Sequence, residues 1–265
     1  MLNRARSLIH YREFLWELVV EEFRTRYRRS SLGFVWSLLN PLLTMLILAV
    51  VFQFMVRLPM RSYALFLLSA LLPWMAFAST VQRSAASLLL AEPLIRRHPI
   101  PKLVFPMSIS LVNCINLALS MGVLLFVVGP LIGFEPSPAL ALLPFSLLCL
   151  TATTIGVSAL LAMVTVYFRD AEHLATVFLT AWMYATPIIY PLTIPGQASI
   201  IPEQYHFWFE LNPMYHVIQL FTKPIYWGQM PDPHTLVAAT ATGCVGLLLG
   251  VGVFWWREDD VVFSL

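Results

Sequence analysis

Apolar residues gather in long runs along this chain, and short polar or proline-rich segments separate the runs. A helix needs about 20 mostly apolar residues to cross a membrane, and runs of that length recur over nearly the whole sequence. The pattern therefore predicts an all-α membrane protein with six transmembrane helices. The predicted spans are about 34–56, 63–82, 103–128, 139–166, 174–192 and 234–256.

Residues 1–33 precede the first span, and they predict an amphipathic interfacial helix over 7–29. Aromatic and apolar residues recur along one stripe, at Tyr11, Leu15, Val19, Phe23 and Tyr27. Acidic and basic residues, among them Arg24 and Arg28, occupy much of the remaining surface. Such a helix lies in the headgroup plane with its cations near lipid phosphates. The pattern also fits a soluble helix packed on a partner subunit, and one helix can do both.

Composition and the distribution of charge define the class and the orientation. Hydrophobic residues make up 59% of the 265 positions and charged residues 11%, against about 25% charged in an average soluble domain. An ordinary water-soluble fold is therefore excluded. With a cytoplasmic N-terminus, thirteen of the 16 Lys and Arg residues fall on the inner side and three on the outer side. The positive-inside rule favours this orientation, which returns the tail, 257–265, to the cytoplasm.

The predicted spans contain no Asp, Glu, Lys or Arg. A carrier driven by protons or sodium normally needs such groups inside the membrane. The chain also lacks the G-x-x-x-x-G-K-[ST] phosphate loop, the H-E-x-x-H zinc motif and the G-x-S-x-G nucleophile elbow. The sequence thus predicts no catalytic residue and no metal ligand, and energy for uphill transport would come from another chain.

Two segments on the predicted cytoplasmic side are candidates for function. The connection 82–102 predicts a short amphipathic helix ended by Pro99 and Pro101. Its apolar residues beside cations suit docking into a groove of a partner, although a solvated linker fits equally well. The turn between spans four and five carries Arg169 and Asp170. Such a turn is usually only solvated, but ionic groups at a membrane boundary also support a gating hypothesis.

The segment of about 190–227 is rich in aromatics, and Asn212–Pro213 and Lys223–Pro224 break it into pieces too short to span. Short re-entrant helices between spans five and six are therefore predicted. The aromatics either form an interfacial belt or stack on sugar rings. The last span presents small residues suited to close helix packing. These residues are Gly243, Gly246, Gly250 and Gly252.

Short strings recur along the chain in a characteristic order. They are Tyr11–Trp16, Arg26–Pro41, Leu71–Trp74, Leu94–Arg97, Phe168–Asp170, Trp182–Pro191 and Leu211–Met214. In this order they resemble the membrane subunits of type-two ABC exporters of the O-antigen, capsule and teichoic-acid group. The likeness extends from about residue 11 to residue 256. The tail departs from the more basic character of the group, because it carries the consecutive acids Glu258, Asp259 and Asp260.

The resemblance implies a homodimer in the bacterial inner membrane, paired with two copies of a separate ABC ATPase subunit. ATP and Mg would be bound by that partner, and this chain would bind no cofactor. The substrate would be an undecaprenyl-pyrophosphate-linked polysaccharide, closest to the O-antigen type, and no nucleic acid would be involved. Membrane lipid would surround the spans.

The resemblance also implies roles for particular residues. Leu94, Ile95, Arg96 and Arg97 would contact the ATPase, together with Arg24 and Arg28 on the N-terminal helix. Spans one and five would line the conduit. Its wall and mouth would be formed by Trp36, Asn40, Trp182, Tyr184, Tyr190, Trp208 and Tyr215.

Other functions remain open from the residues alone. A capsule or teichoic-acid exporter, or an exporter of drugs or other lipids, would use the same architecture. A membrane enzyme acting on polyprenyl-linked sugars would need paired carboxylates facing a cavity. The available acids are Asp170 and Glu172 inside and Glu203, Glu210 and Asp232 outside, and they form no convincing pair.

Overall fold

The computed structural model describes residues 2–27, 35–56, 60–192 and 201–264. Within these ranges the chain is helical and contains no β-strand, which confirms the all-α prediction. The α-helices are α1 (Leu2–His10), α2 (Arg12–Tyr27), α3 (Val35–Val56), α4 (Met60–Ala85), α5 (Ser87–Leu90), α6 (Glu92–Arg97), α7 (Val104–Val123), α8 (Gly129–Leu131), α9 (Leu143–Tyr167), α10 (Ala171–Ala185), α11 (His206–Glu210), α12 (Pro213–Thr222) and α13 (Pro233–Ser264). A π-helical turn, Leu124–Val128, joins α7 to α8, and another, Lys223–Trp227, follows α12.

Four helical segments among the described residues are long and apolar enough to cross a membrane. They are Tyr63–Ala85, Val104–Leu131, Pro138–Tyr167 and Pro233–Glu258. Helix α3 covers the first predicted span, and its described apolar stretch is Leu39–Leu48. The total of six spans stays a prediction.

Helix α10 is shorter than the predicted fifth span, 174–192. Its 15 residues extend over about 23 Å at 1.5 Å per residue, whereas the hydrocarbon core is about 30 Å thick. The helix ends because Thr186 is extended, with ψ 132°, and Pro187 follows it. A residue before proline is disfavoured in the α conformation. Residues 186–192 therefore form turns that pack beside the helix end rather than a continuation of the span.

The N-terminal segment forms two helices where one was predicted. A turn at Tyr11 separates α1 from α2, although backbone hydrogen bonds from Tyr11 to Ser7 and from Leu15 to Tyr11 continue the helical ladder. Val19 of α2 is buried, and Leu15 packs against the same cluster as the ends of α7, α9 and α13. Leu15 and Val19 of the apolar stripe thus pack on this chain's own helices. We call the end of the bundle that carries α1, α2, α5 and α6 the basal end.

The main core lies between α4, α7, α9 and α12, and it continues to the opposite end of the bundle, which we call the far end. Leu71 and Phe77 of α4 are fully enclosed there, as are Val217 and Phe221 of α12. Helix α4 contacts both end regions and also lies beside α3, α7 and α9. It therefore lies at the centre of the bundle and connects its two ends.

The most extensive helix contact in the described chain joins α9 and α13 through glycines. Gly156 lies against the backbone of Gly246, and Gly250 lies against the backbone of Gly156. A Cβ atom at Gly156 would overlap the Gly246 carbonyl, so the close approach requires the absence of side chains. The predicted small-residue face of α13 therefore has its partner in α9, whereas Gly252 faces open space.

We expect Gly156→Ala to destabilise the chain by about 1–3 kcal/mol, because the added methyl group forces the two backbones apart. The measurement is the thermal unfolding midpoint of the purified protein in detergent. Gly252→Ala is the matched control, since its new Cβ meets no atom within 4 Å and alanine favours helix. Equal midpoints for the two variants would contradict the proposed tight crossing.

Candidate functional site

The predicted coupling loop forms two short helices, α5 and α6, rather than one. Helix α6 ends at Arg97 because His98 is extended before Pro99. On α6 the Arg96 Nε donates a hydrogen bond of 2.8 Å to Glu92 Oε1, one helical turn away. This pair orients the Arg96 side chain along the exposed surface of the helix.

Side-chain exposure divides the predicted coupling residues. Arg96 and Arg97 are exposed, whereas Ile95 is only 6% exposed and packs into the basal cluster. Leu94 is partly buried beside it. The predicted contact of these four residues with the ATPase stays a prediction. Within this chain the Ile95 side chain packs α6 against the bundle. Leu90, an apolar residue of the same connection that was not assigned to the contact, is 79% exposed at the end of α5.

The acidic tail belongs to α13, and Glu258 connects three elements at the basal end. Its Oε1 accepts a hydrogen bond of 2.9 Å from the backbone N–H of Lys102, just before α7. Its Oε2 lies 3.6 Å from Arg4 Nη1 on α1. Glu258 is buried, and a carboxylate at a helix N-terminus is favoured by the helix dipole. The last turns of α13 thus fasten α1 and α7 together.

The other site residues predicted for the basal end are exposed where the structure describes them. Arg24 lies on the exposed side of α2, and Arg28 falls outside the described residues. Arg169 and Asp170 form an exposed turn between α9 and α10. In the described part of the chain the Arg169 and Asp170 side chains form no ion pair with each other. The backbone carbonyl of Asp170 accepts a hydrogen bond of 3.0 Å from the Leu174 N–H in the first turn of α10. Their gating role stays a prediction.

The Asn212 side chain joins α10 and α12 at the far end through hydrogen bonds. Trp182 Nε1 donates a hydrogen bond of 2.8 Å to Asn212 Oδ1, which also accepts the Met214 N–H at 3.1 Å. Asn212 Nδ2 donates to Thr186 Oγ1 at 2.8 Å and to the Ala185 carbonyl at 3.3 Å. Asn212 therefore caps α12 and binds the end of α10 at the same time.

Trp182 also joins helices through its ring. The indole lies edge-on to Trp74 and Phe77 of α4, with centroid distances of 6.0 and 5.7 Å. On its own helix it contacts Phe178 at 5.4 Å. Trp182 is only partly buried, so its predicted place on the conduit wall stays a prediction beside this packing role.

The other predicted conduit residues differ in exposure. Trp36 and Asn40 of α3, Tyr184 of α10 and Trp208 of α11 are exposed. Tyr190 and Tyr215 are partly buried. The Tyr190 hydroxyl donates to the Tyr184 carbonyl at 3.1 Å, and Tyr215 lines a cavity of about 50 Å³ beneath residues 186–192. Phe207, which the sequence reading did not assign as a site residue, is exposed beside Trp208 with a centroid distance of 6.0 Å.

Asp232 holds the start of α13 to the π-helical turn after α12. It accepts hydrogen bonds from the Thr235 N–H at 3.0 Å and from Lys223, with which it also forms an ion pair. Burial alone would raise the pKa of Asp232, but the bonds from Lys223 and Thr235 lower that pKa well below its usual range. The carboxylate is therefore charged at neutral pH and serves as a helix cap rather than as an acid.

The long apolar helices define the class of this chain as a multi-pass α-helical membrane protein. The chain belongs to the ABC-2 type transporter family, whose sequence profile matches residues 13–226. This family provides the membrane component of a transporter. The match runs from α2 through the π-helical turn after α12, so it includes both ends of the bundle.

Several relatives are similar over nearly their whole length. The chain is 32% identical over 266 residues to the O-antigen export system permease protein RfbA of Myxococcus xanthus, covering 100% of both chains. It is 25% identical over 248 residues to the protein of the same name from Klebsiella pneumoniae, covering 91% of this chain and 92% of that protein. It is also 25% identical over 252 residues to the polysialic acid transport protein KpsM of Escherichia coli, covering 93% and 94%.

We expect Asn212→Ala to destabilise the far end by about 2 kcal/mol or more, because it removes a helix cap and leaves partly buried donors without acceptors. Asn212→Asp keeps the acceptor oxygen and should fall between Asn212→Ala and the wild type. The measurement is the thermal unfolding midpoint in detergent, with the exposed Gln204→Ala as control. A midpoint of Asn212→Ala equal to that of the control would contradict the conclusion that the hydrogen bonds of Asn212 stabilise the far end.

Proposed function

We propose that this chain is the membrane subunit of an ATP-driven exporter that moves a lipid-linked, O-antigen-type polysaccharide out of the cytoplasm. The observation that carries the proposal is the end-to-end likeness to the O-antigen export permease of Myxococcus xanthus. Because the likeness covers the complete chain, it includes the basal helices, the spans and the far-end helices together.

The distribution of charge supports an external source of energy. The predicted spans contain no Asp, Glu, Lys or Arg, the groups that a carrier driven by protons or sodium normally needs inside the membrane. We propose two copies of this chain and two copies of an ABC ATPase subunit, which binds ATP and Mg²⁺. The polysaccharide would be linked to undecaprenyl pyrophosphate, and the complex would lie in the bacterial inner membrane with both termini of this chain in the cytoplasm.

Exposed aromatic rings support passage of a glycan. Trp36 and Tyr184 are exposed on α3 and α10, and Phe207 and Trp208 are exposed on α11. Stacking of sugar rings on such faces gives weak, repeated contacts without fixed charges. A long polymer needs contacts of this kind, because tight binding at one point would stall its movement.

A capsule-type polymer is the second candidate, since the chain is 25% identical to a protein named for polysialic acid transport. Polysialic acid is an acidic polymer, and its passage would favour cations along the path. At the far end Lys223 is already paired with Asp232. Arg61 in the first turn of α4 is a second cation at this end, so the preference for the O-antigen type rests on the exposed aromatics and on the likeness to the O-antigen export permease.

Deletion of the gene should leave full-length lipid-linked polysaccharide trapped in the cytoplasm, because synthesis would continue without export. The measurement is surface staining of the polysaccharide together with analysis of the lipid-linked pool, with the wild-type gene on a plasmid as control. Unchanged surface polysaccharide, or shortened chains in the trapped pool, would contradict the proposal.

We expect Leu90→Asp and the pair Arg96→Glu with Arg97→Glu to reduce export by about tenfold or more, because they alter the exposed apolar and basic groups offered to the ATPase. Export should be measured with ATP hydrolysis in vesicles that contain both subunits. Arg257→Glu is the control, because Arg257 is an exposed basic residue of α13. Normal export with the three substitutions combined would exclude this surface from coupling.

A further inference from the structure

A chain of buried polar contacts connects α2 with the membrane-embedded helices α4 and α7. Arg26 Nη1 of α2 donates a hydrogen bond of 2.6 Å to Asn113 Oδ1 of α7. Asn113 Nδ2 donates to Thr80 Oγ1 of α4, also at 2.6 Å. Thr80 Oγ1 in turn donates to the Ala76 carbonyl within α4. One amide thus connects the N-terminal helix with two long apolar helices.

A shared carboxylate fixes the position of Arg26. Glu22, one turn earlier on α2, lies 3.5 Å from the Arg26 guanidinium and also forms an ion pair with Arg83 at the basal end of α4. Helix α2 is therefore bound to α4 twice, once directly through Glu22 and Arg83 and once through Asn113. Two attachments prevent α2 from rotating about a single contact.

Burial makes this connection stiff. Asn113 is 6% exposed and Thr80 is 1% exposed. An adjoining pocket, lined in part by Ser110 and Thr154, measures about 10 Å³. Because Asn113 and Thr80 are themselves buried, breaking their hydrogen bond would leave buried groups without partners.

Helix α4 carries this connection to the far end. On the turn before Thr80, Phe77 contacts the Trp182 ring, and Trp182 binds Asn212. At the other end of α4 the buried Tyr63 hydroxyl donates to the Ile189 carbonyl at 2.6 Å. A displacement of α4 thus acts on both the end of α10 and the turns that follow it.

We propose that Asn113 is a positioning residue that transmits movement of α2, beside the ATPase-facing surface, to α4 and through it to the far-end helices. This inference rests on the proposed function, because it assigns a coupling role within the exporter. Asn113 suits the role because its amide is acceptor and donor at once. The Oδ1 atom meets the Arg26 cation while Nδ2 meets the Thr80 hydroxyl.

Two substitutions of Asn113 distinguish a role in coupling from a role in packing alone. In Asn113→Leu the number and branching of the side-chain heavy atoms are kept, but both hydrogen bonds are lost. In Asn113→Asp the Arg26 contact becomes charge-assisted, and the Thr80 hydroxyl can turn to donate to the second carboxylate oxygen. We therefore expect Asn113→Leu to uncouple export from ATP hydrolysis and Asn113→Asp to preserve the coupling.

The test uses vesicles that contain the complete complex of permease and ATPase, with export of lipid-linked polysaccharide and ATP hydrolysis measured together. The polysaccharide exported per ATP hydrolysed should fall by about tenfold in Asn113→Leu and in Arg26→Gln, and the double variant should be no worse than either. Thr154→Val is the control. Thr154 lines the same pocket, and among the described residues its hydroxyl bonds to the Leu150 carbonyl of its own helix and not to α2, α4 or α7.

The outcomes distinguish this inference from the proposed function. If wild-type vesicles export no polysaccharide, the proposed function fails. If the wild type exports and Asn113→Leu exports as much per ATP, the coupling role is wrong. Additive losses in the double variant, or an uncoupled Asn113→Asp, would also overturn it. If Asn113→Leu does not fold, Thr80→Val with Arg26→Gln tests the same bonds.

Discussion

Polar groups inside an apolar helical bundle have to find partners within the chain, because hydrocarbon offers no water to bind them. Three side chains meet this constraint at the points where helices end or cross. Asn212 satisfies the start of α12 and the end of α10, Glu258 satisfies the start of α7, and Asn113 satisfies Arg26 and Thr80. The same contacts that remove the cost of buried polar groups therefore join the basal and far ends of the bundle.

This arrangement gives a transporter subunit a stiff path between its two ends. The α9–α13 contact fixes one side of the bundle through Gly156 and Gly250, where no side chain separates the backbones. On the other side α4 is bonded near both of its ends, through Thr80 and Tyr63. Movement imposed at the basal end is then transmitted through α4 instead of being absorbed by loose packing.

Particular residues show where sequence reasoning succeeded and where it failed. The small-residue face of α13 and the breaks near Asn212 were predicted, because glycine spacing and an Asn–Pro pair are local signals. The exposure of Leu90 and the burial of Ile95 were not predicted. Both are apolar residues of one short connection, so their residue types do not tell them apart. Only the packing of Ile95 against the ends of α7, α9 and α13 distinguishes them. Pro187 is a local signal for the end of α10. The prediction nevertheless extended the span to residue 192, because the residues around Pro187 are apolar.

The class of the protein, its apolar helices and the absence of Asp, Glu, Lys and Arg from the predicted spans can be read from the sequence, because these depend on composition and on the order of apolar and polar residues. Its ordered motifs also indicated the family. Which polar residues meet is visible in the three-dimensional structure alone. Arg26 and Asn113 are 87 positions apart, and Trp182 and Asn212 are 30 apart. The hydropathy pattern does not predict such pairs. A hydrogen bond between two helices depends on how the helices rotate and cross, and not on either segment alone.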